Sequence, residues 1–340
     1  MASKKVKVVF FTRKPRDLGN FSIETYFGNI KDHLPSEFQP VWVEMPFYSN
    51  GIFKRLANAV YCYLHQGDIN HVTGDIHYVA ILLRKSKTVL TIHDCGLLHE
   101  TKGIKHVIFR WFWFTVPVSC VARVTAVSMA TKNDIIAFTH CNPDKVDVIH
   151  TCIATHFAKR ESSFNEVNPR ILQIGTAENK NIRRLIPAIK DTPCTLVIVG
   201  KVPDDIKELI RVNHISFELL ERRLDDVEML EEYHKSDIVA MVSTLEGFGM
   251  PIIEANAVGR VVIAGNNSSM PEIAADAALL VDAMDINAIR QGLLTLIDNK
   301  SLRQKLVDNG FKNAERFSPS NLAGKYAEMY HQLVHSNIGK

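Results

Sequence analysis

Two glutamates, Glu246 and Glu254, lie on either side of a glycine-containing segment that follows a strand-like apolar run. Their carboxylates can accept hydrogen bonds from sugar and ribose hydroxyl groups. Gly247 and Gly249 break any helix and let the backbone approach a ligand closely. Pro251 lacks an N–H group and therefore suits the first position of a helix. This pattern predicts a strand, a loop and then a helix N-terminus.

The main chain at this predicted helix start has the chemistry of an anion site. The N–H groups of Gly249 and Met250 have no partner within the helix and lie at the positive end of its dipole. A diphosphate suits such a place, and Phe248 lies in the same loop. Two interpretations stay open from these residues alone, a ligand-binding loop or a tight turn with solvated glutamates. A glutamate in the first helical turn is favourable even without a ligand.

A second candidate segment runs from Gly175 to Asn181, directly after a strand predicted at residues 170–174. It contains Lys180, and a lysine at a strand-to-helix turn can neutralise the charge that develops on a departing diphosphate. By itself, such a lysine is more often an ordinary surface residue. The segment therefore becomes a site only if it lies beside the glutamate loop.

A histidine and an aspartate, His93 and Asp94, follow a third predicted strand at residues 88–92. The carboxyl ends of parallel strands are where α/β proteins place ligand contacts. Histidine is suited to such a position because its charge and hydrogen bonding respond to small changes in environment. A lone histidine is more often structural, so this pair identifies no function without further context.

The elements that must position these residues alternate regularly along the chain. Short β-branched runs followed by helical patterns are typical of parallel α/β architecture. The predicted strands cover residues 6–11, 40–44, 69–72, 88–92, 123–127, 146–149, 170–174, 195–199, 214–217, 237–242, 260–264 and 278–281. The predicted helices include residues 53–65, 178–190, 226–235, 285–298 and 302–314.

A chain of 340 residues is long enough for two domains. The apolar pattern lapses before Pro169, which predicts a linker at residues 156–168. We predict a Rossmann-like domain at 1–155, a second at 169–318, and a final helix at 319–340 that packs back on the first domain. Two doubly wound sheets in series would place their ligand-binding strand ends around a shared cleft.

Composition excludes several classes of protein. The net charge of +3 is too small to indicate a nucleic-acid partner, although it divides into +7 over residues 1–165 and −4 over the rest. The basic first half therefore favours an anionic partner. The most apolar run, residues 111–122, is too short to span a membrane. The six scattered cysteines are typical of reduced thiols, and with no signal-peptide pattern we expect a cytoplasmic protein.

The E-x7-E spacing of Glu246 and Glu254 resembles the motif of the family-4 retaining glycosyltransferases of the GT-B fold. The similarity continues through residues 255–262, 270–272 and 276–282. It implies two Rossmann-like doubly wound domains facing across a cleft. In that family the first glutamate contacts the donor sugar and the second contacts the nucleotide ribose, which we transfer to Glu246 and Glu254.

The resemblance also implies roles for the other candidates. Lys180 matches the family's phosphate-binding lysine, and His93 matches a histidine near the reacting sugar, with Asp94 expected to orient its ring. The family's arginine after the glycine is replaced here by Thr176. The residues considered for the missing cation are Arg13, Arg222 and Arg223.

The first strand leads into a segment that is similar to the family's loop over donor and acceptor. That loop usually carries paired glycines, of which this chain has only Gly19. The predicted donor contacts are therefore Gly175, Lys180, Asn181, residues 246–250 and Glu254, with Gly19 and Asp94 in support and His93, Glu246 and Lys180 as the catalytic set.

The resemblance implies transfer from a nucleotide sugar, a UDP- or GDP-sugar, to a glycan or lipid-diphosphate-linked acceptor. The family is described as retaining, with front-face attack assisted by the leaving phosphate. The sequence has no D-x-D pair suited to a catalytic metal, so we expect no metal and no cofactor. Two alternatives stay open, a non-catalytic nucleotide-sugar-binding subunit of the same fold and a sugar-nucleotide epimerase.

A helix predicted over residues 102–113 separates two kinds of side chain. One face carries Lys102, Lys105, His106, Phe109, Arg110 and Trp113, and the other carries Ile104, Val107, Ile108 and Trp111. A basic-aromatic face over an apolar one fits peripheral contact with the cytoplasmic side of an anionic membrane. A solvated basic face beside an ordinary core face is the alternative.

Overall fold

The computed structural model describes residues 5–15, 22–160 and 163–335, with the side chain of Ser22 excepted, and divides the chain into two compact units. One unit extends to Ala154 and includes the segment that begins at Pro319, and the other runs from Thr155 to Ser318. The described part of the predicted linker at 156–168 forms no helix or strand and belongs to the second unit.

The first unit contains a six-stranded sheet in the order β2-β1-β3-β4-β5-β6, in which all neighbouring strands are parallel. Its strands are β1 (Val6–Thr12), β2 (Phe38–Glu44), β3 (Ile69–Val72), β4 (Thr88–Ile92), β5 (Arg123–Ala126) and β6 (Val146–Val148). The strand order reverses between β1 and β3, and such a reversal opens a crevice at the carboxyl ends of the two strands.

In the described part of the chain, six α-helices precede the second unit. They are α1 (Ser22–Asp32), α2 (Ile52–Leu64), α3 (Gly96–Glu100), α4 (Gly103–Arg110), α5 (Val116–Ser119) and α6 (Met129–Thr139). Helices α4 and α5 are joined by a π-helical turn at Trp111–Thr115. Side chains alternate between the faces of β1, so that Val8 and Phe10 enter one apolar core while Val9 and Phe11 enter the other.

The helix predicted at 102–113 differs from the observed one in length and in orientation. The regular helix α4 ends at Arg110, and the π-helical turn follows. Phe109 and Trp113 pack on the core, whereas Ile104, Val107, Ile108 and Trp111 are exposed. The prediction of which face covers the core was therefore wrong. The rings of Phe109 and Trp113 stack with 5.9 Å between their centroids and pack on the core, so the side that carries them faces inward.

The second unit repeats the architecture, with a parallel sheet in the order β12-β11-β10-β7-β8-β9. Its strands are β7 (Arg170–Ile174), β8 (Thr195–Val199), β9 (Ser216–Leu220), β10 (Ile238–Met241), β11 (Val261–Gly265) and β12 (Leu279–Val281). Its helices are α7 (Ile182–Ala188), α8 (Asp204–Val212), α9 (Asp226–Lys235), α10 (Met250–Val258), α11 (Met270–Ala274), α12 (Ile286–Asp298) and α13 (Lys300–Glu315). Here the strand order reverses between β7 and β10.

The last helix, α14 (Pro319–His335), completes the first unit. Its buried residues, Tyr326 and Tyr330 among them, share a core with Val8, Phe10 and Phe27. The Tyr330 hydroxyl lies 2.6 Å from Nδ1 of the buried His71, whose Nε2 lies 2.7 Å from the hydroxyl of Thr91. Burial lowers the pKa of His71 to about 3, so this histidine stays neutral.

We expect Tyr330→Phe to lower the free energy of unfolding by about 1–3 kcal/mol, because it removes one partner of a fully buried histidine. Chemical denaturation of the whole chain, followed by circular dichroism, measures this change. Tyr63→Phe is the matched control, since Tyr63 lies on α2 and is more than half exposed. Equal stability of the two variants would contradict the structural role given to Tyr330.

Candidate functional site

Two loops lie side by side at the strand-order reversal of the second unit, because β7 and β10 are adjacent. One follows β7 and the other follows β10. The main chain of Thr244 donates a hydrogen bond to the Asn179 carbonyl at 2.8 Å, and the Asn179 side chain donates to the Leu245 carbonyl at 2.9 Å. The two segments that the sequence singled out are thus joined into one structure.

The two loops bring Lys180 and Glu246 into contact. The Lys180 Nζ lies 2.7 Å from Glu246 Oε1, and the two side chains are 22% and 13% exposed. Gly175, with φ of +85°, lies beneath the lysine, since a Cβ built on it would lie 3.1 Å from Lys180 Cε. Glycine suits this position because other residues rarely adopt this backbone conformation and because a side chain there would crowd Lys180. The result is a partly open pair of opposite charges.

A third loop, after β11, supports the glutamate loop through side chains that sequence reasoning missed. The Asn267 amide donates to the carbonyls of Ser243 and Thr244 at 3.2 and 2.8 Å. The Ser269 hydroxyl lies 2.6 Å from the Phe248 carbonyl, and the Ser268 hydroxyl lies 2.6 Å from that of Glu246. Single Asn and Ser residues in a loop carry no sequence signal, although their clustering after a glycine-ended strand is a weak one.

Two predicted donor contacts have side chains engaged within the protein. The Asn181 amide donates to the carbonyls of Val242 and Ala283 at 2.8 and 2.6 Å, and its oxygen accepts from Arg184 at 2.9 Å. The Phe248 ring is buried and lies edge-on to Phe317 with 5.6 Å between ring centroids. These side chains hold the loops in place, and a donor contact from either residue stays a prediction.

The helix predicted after the glutamate loop is α10, and Met250 is its first residue. Gly249 precedes it with φ of +117°, a conformation that favours glycine. Pro251 therefore occupies the second helical position, one later than predicted. Gly247 and Gly249 flank Phe248, so that the main chain turns sharply between Glu246 and the helix start.

Glu254 is the fifth residue of α10, beyond the first turn in which the sequence placed it, because the helix begins at Met250. It lies next to the buried Tyr233 of α9. The Tyr233 hydroxyl donates a hydrogen bond to Glu254 Oε2 at 2.5 Å. Burial raises the pKa of Glu254 to about 7, and nearby Asp226 adds to the rise while the tyrosine hydrogen bond opposes it. The carboxyl group thus changes its charge near neutral pH.

The cations considered as partners of Lys180 have other contacts. Arg222 lies after the edge strand β9 and pairs with Glu228 at 2.6 Å, and Arg223, which follows it, has contacts of its own. Arg13 belongs to the first unit, where its Nε lies 2.8 Å from Glu24 Oε1 and its Nη1 also contacts Asp75. Thr176 lies where the family carries its arginine, and its hydroxyl donates to the Lys201 carbonyl at 2.7 Å.

His93 follows β4 in the first unit, and its ring is held by neighbouring elements. Its Nε2 lies 2.7 Å from the Thr73 carbonyl, so Nε2 carries the proton and Nδ1 is left as an acceptor. Burial lowers the pKa of His93, which keeps the ring neutral. The ring lies over Gly74, where a Cβ would approach its Cδ2 to 2.6 Å. A neutral acceptor of this kind can bind a hydroxyl group.

The expected partner of this histidine, Asp94, has a different role. Its Oδ1 accepts a hydrogen bond from the Gly96 main chain at 2.9 Å, in the turn before α3. The carbonyl of Thr73 orients the His93 ring instead, so the prediction for Asp94 was wrong on this point. Gly19, the other supporting candidate, lies outside the described residues.

Comparison with known protein families assigns both parts of the chain. The family model "Glycosyl transferases group 1" matches residues 155–313, and the model "Glycosyltransferase Family 4" matches residues 1–157. An uncharacterized glycosyltransferase of Methanocaldococcus jannaschii is 31% identical over 251 residues, which cover 72% of this chain and 68% of that protein. The chain belongs to the group 1 glycosyltransferases. The family resemblance inferred from the glutamate motif is confirmed.

Other relatives of this group 1 glycosyltransferase are named for mannosyl transfer. The MMP α-(1→4)-mannosyltransferase of Mycolicibacterium hassiacum is 26% identical over 248 residues, or 68% of this chain and 60% of that protein. The serotype-specific mannosyltransferase WbdA of Escherichia coli is 23% identical over 278 residues, or 74% and 34%. The chain therefore spans little more than half of the first relative and about a third of the second.

Solved structures of low sequence identity share the fold. A glycosyltransferase from Rickettsia africae superimposes with a TM-score of 0.75 at 18% identity, covering 98% of this chain and all of that one. Anabaena HepE, solved in complex with UDP and glucose, gives 0.74 at 16% identity, covering 96% and 100%. The predicted GT-B fold class is confirmed.

Among the described residues of this glycosyltransferase, none of the helices has the length and apolarity to cross a membrane.

Proposed function

We propose that this glycosyltransferase moves a hexosyl residue from a UDP- or GDP-sugar to a hydroxyl group of a glycan or lipid-linked acceptor, with retention and without a metal ion. The observation that carries the proposal is the Lys180–Glu246 pair at the strand-order reversal of the second unit. Doubly wound sheets bind nucleotides at this place. The pair offers one group for phosphate and one for sugar.

The donor takes its position from four groups of the second unit. The Lys180 ammonium binds the diphosphate, and the N-terminus of the nine-residue helix α10 adds the positive end of its dipole. Glu246 accepts hydrogen bonds from hydroxyl groups of the donor sugar. Glu254 accepts them from the ribose, and its carboxyl group accepts most strongly when it is ionised. A catalytic role of His93, a neutral hydrogen-bond acceptor of the first unit, stays a prediction of the family resemblance.

Transfer breaks the bond between the sugar C1 and the diphosphate oxygen and forms a bond from C1 to the acceptor oxygen on the same face. The acceptor proton passes to an oxygen of the departing diphosphate. Negative charge grows on the diphosphate as the first bond breaks, and Lys180 stabilises that charge most in the transition state. The protein thus contributes position and charge, and the leaving group serves as the base.

Two kinds of relative support a nucleotide-sugar donor, namely solved structures and proteins similar in sequence. Anabaena HepE was solved with UDP and glucose and also with UDP-glucose, whereas several relatives in sequence are named as mannosyltransferases. These names agree on a hexose donor and differ on the sugar. A binding experiment is therefore needed to decide whether the donor is a UDP-sugar or a GDP-sugar.

Calorimetric titration of the whole chain with UDP-, GDP-, dTDP- and ADP-sugars tests the proposal. We expect saturable binding of one nucleotide class, unchanged when EDTA replaces Mg²⁺. Hydrolysis or transfer of the bound donor is then followed by chromatography with glycan and lipid-linked acceptors.

The outcomes separate the alternatives. Binding followed by release of free nucleotide supports the transferase. Binding of donor without turnover over a broad acceptor panel would indicate a non-catalytic subunit, and interconversion of two sugars on the intact nucleotide would indicate an epimerase. Binding that requires Mg²⁺ would contradict the proposed metal independence.

A further inference from the structure

Helix α2 exposes one continuous apolar face in the first unit. Its buried side consists of Asn58, Ala59 and Cys62. The opposite side carries six large apolar residues spaced three to four residues apart or adjacent, which are between 44% and 85% exposed: Ile52, Phe53, Leu56, Val60, Tyr63 and Leu64. A helix of a soluble domain normally turns such a stripe toward its core.

A second exposed apolar stripe lies on α4 and the π-helical turn after it. Its members are between 52% and 77% exposed and follow helical spacing: Ile104, Val107, Ile108, Trp111 and Phe112. The opposite side of the same segment, with Phe109 and Trp113, already packs on the core of the unit. The exposed stripe is therefore additional apolar surface and not a misplaced core face.

The segments that carry the two stripes are neighbours in the first unit. The Arg55 guanidinium of α2 lies over the ring of Trp113, 5.1 Å from its centroid. Trp113 also lies 5.5 Å from the ring of Tyr78, whose hydroxyl accepts from Asn58 of α2 at 3.0 Å. We call the eleven exposed side chains of the two stripes the apolar face. Exposed apolar surface on neighbouring segments is typical of a docking site for a protein or a membrane.

The two segments that carry the apolar face have charges of one sign. No acidic residue occurs between Glu44 and Asp68 or between Glu100 and Asp134, whereas both segments carry lysine and arginine. The basic residues next to the apolar side chains are Lys54, Arg55, Lys102, Lys105 and Arg110. A second copy of this chain would place like charges against one another, and that costs binding free energy.

We propose that the apolar face docks on the surface of a bilayer that contains anionic phospholipids. The apolar side chains enter the boundary between headgroups and acyl chains, and the basic side chains lie against lipid phosphates. Trp111 and Tyr63 are of the residue types that favour this boundary. The basic and apolar groups together match a lipid surface better than either does alone.

This docking brings the first unit to lipid-linked molecules and selects a lipid-linked acceptor over a free glycan. The acceptor class rests on the proposed function, whereas the docking surface does not. Vesicle binding is measured without substrates. A failure of the docking surface can therefore be distinguished from a failure of the proposed glycosyl transfer.

Co-sedimentation of the whole chain with vesicles tests the docking surface. We expect binding to vesicles of phosphatidylcholine mixed with phosphatidylglycerol and little binding to phosphatidylcholine alone. Raising the salt concentration should release the protein. Trp111 is half exposed, so docking should also shift tryptophan emission to shorter wavelength.

Two sets of substitutions locate the contact. Phe53→Ser, Leu56→Ser, Ile104→Ser and Ile108→Ser together should weaken binding to the mixed vesicles at least about tenfold, because four side chains lose apolar burial. A second variant carries Lys54→Gln, Lys102→Gln and Lys105→Gln. It should also weaken binding to the mixed vesicles, by about tenfold or more. All seven residues are exposed, so the fold should persist.

The second unit offers matched controls. Four exposed apolar residues, Val167, Val212, Phe217 and Val227, are changed to serine in one variant. Three exposed lysines, Lys300, Lys305 and Lys312, are changed to glutamine in another. Both control variants should bind the mixed vesicles as the unaltered chain does.

Three results would overturn the proposal. One is the absence of binding to the mixed vesicles, and another is equal loss in test and control variants. The third is sedimentation velocity that shows a dimer abolished by the apolar substitutions while vesicles remain unbound, because the apolar face would then be an interface between copies.

Discussion

Lys180→Ala is expected to lower kcat about 10²- to 10³-fold, the size of loss seen when a single group that stabilises developing charge is removed. Lys180 contacts Glu246 at 2.7 Å and lies across Gly175, so its ammonium has a fixed place at the strand-order reversal. A donor diphosphate at that place gains charge during the reaction. The measurement is steady-state turnover with the sugar nucleotide that the titrations identify.

Glu246→Gln tests the other half of the pair. It keeps the size of the side chain and one acceptor oxygen but removes the negative charge. Since the two residues act on one donor, the double variant should lose less than the product of the single losses. Additive losses would indicate that Lys180 and Glu246 serve separate steps.

The controls distinguish chemistry from folding. The side chains of the pair are 22% and 13% exposed, so Lys180→Ala leaves the Glu246 carboxylate without its partner and should lower stability by about 1–3 kcal/mol. Thermal unfolding beside Lys190→Ala, which removes an exposed lysine of the same unit, measures this loss and shows whether the variant is folded under assay conditions. Wild-type turnover in Lys180→Ala would remove this residue from the catalytic set.

Strands were predictable from the sequence because they are buried on both faces. Strands β7, β8, β10 and β11 are runs of Val, Ile, Leu and Ala with few polar residues, as parallel sheets require. Strand β9 was predicted at 214–217 and lies at Ser216–Leu220. It is an edge strand with exposed residues, so its apolar pattern is weak.

The residues of the candidate site also differ in how far the sequence could predict them. Glu246, Glu254 and Lys180 were recognisable because glycine, proline and charge recur there at fixed spacing. The supporting bonds from Asn267 and Ser269 were not, since each depends on a loop distant in sequence. Periodicity located α4 but could not state which side covers the core, because both of its sides carry large apolar residues: Phe109 packs on the core, whereas Ile104 and Ile108 are exposed.

Binding of a sugar nucleotide is expected to weaken by up to about tenfold between pH 8 and pH 6, because Glu254 has a pKa of about 7 and accepts ribose hydroxyls more strongly when ionised. The ionised fraction falls as the pH drops through that pKa. A sugar nucleotide is the right probe, since neither of its phosphates takes up a proton in this range. Calorimetric titration at several pH values gives the profile.

Two variants assign this pH dependence to Glu254. Glu254→Gln should bind the donor weakly and equally at pH 6 and pH 8. Tyr233→Phe removes a hydrogen bond that lowers the pKa of Glu254, so the midpoint of its profile should move to higher pH. A profile that keeps its midpoint in both variants would assign the dependence to another group, such as His93.

The same shift has a consequence for stability, with the opposite sign. The folded state holds the Glu254 proton more tightly than the unfolded state, whose carboxyl group has its ordinary pKa of 4.5. Stability is therefore highest below that value and falls as the pH rises to about 7, by up to about 3 kcal/mol. Glu254→Gln abolishes this loss. Relative to wild type, the variant should gain stability at pH 8 compared with pH 5, whereas the exposed Glu208→Gln should gain none. Glu254 thus lowers the stability of the ligand-free protein at neutral pH, while its ionised carboxylate strengthens donor binding.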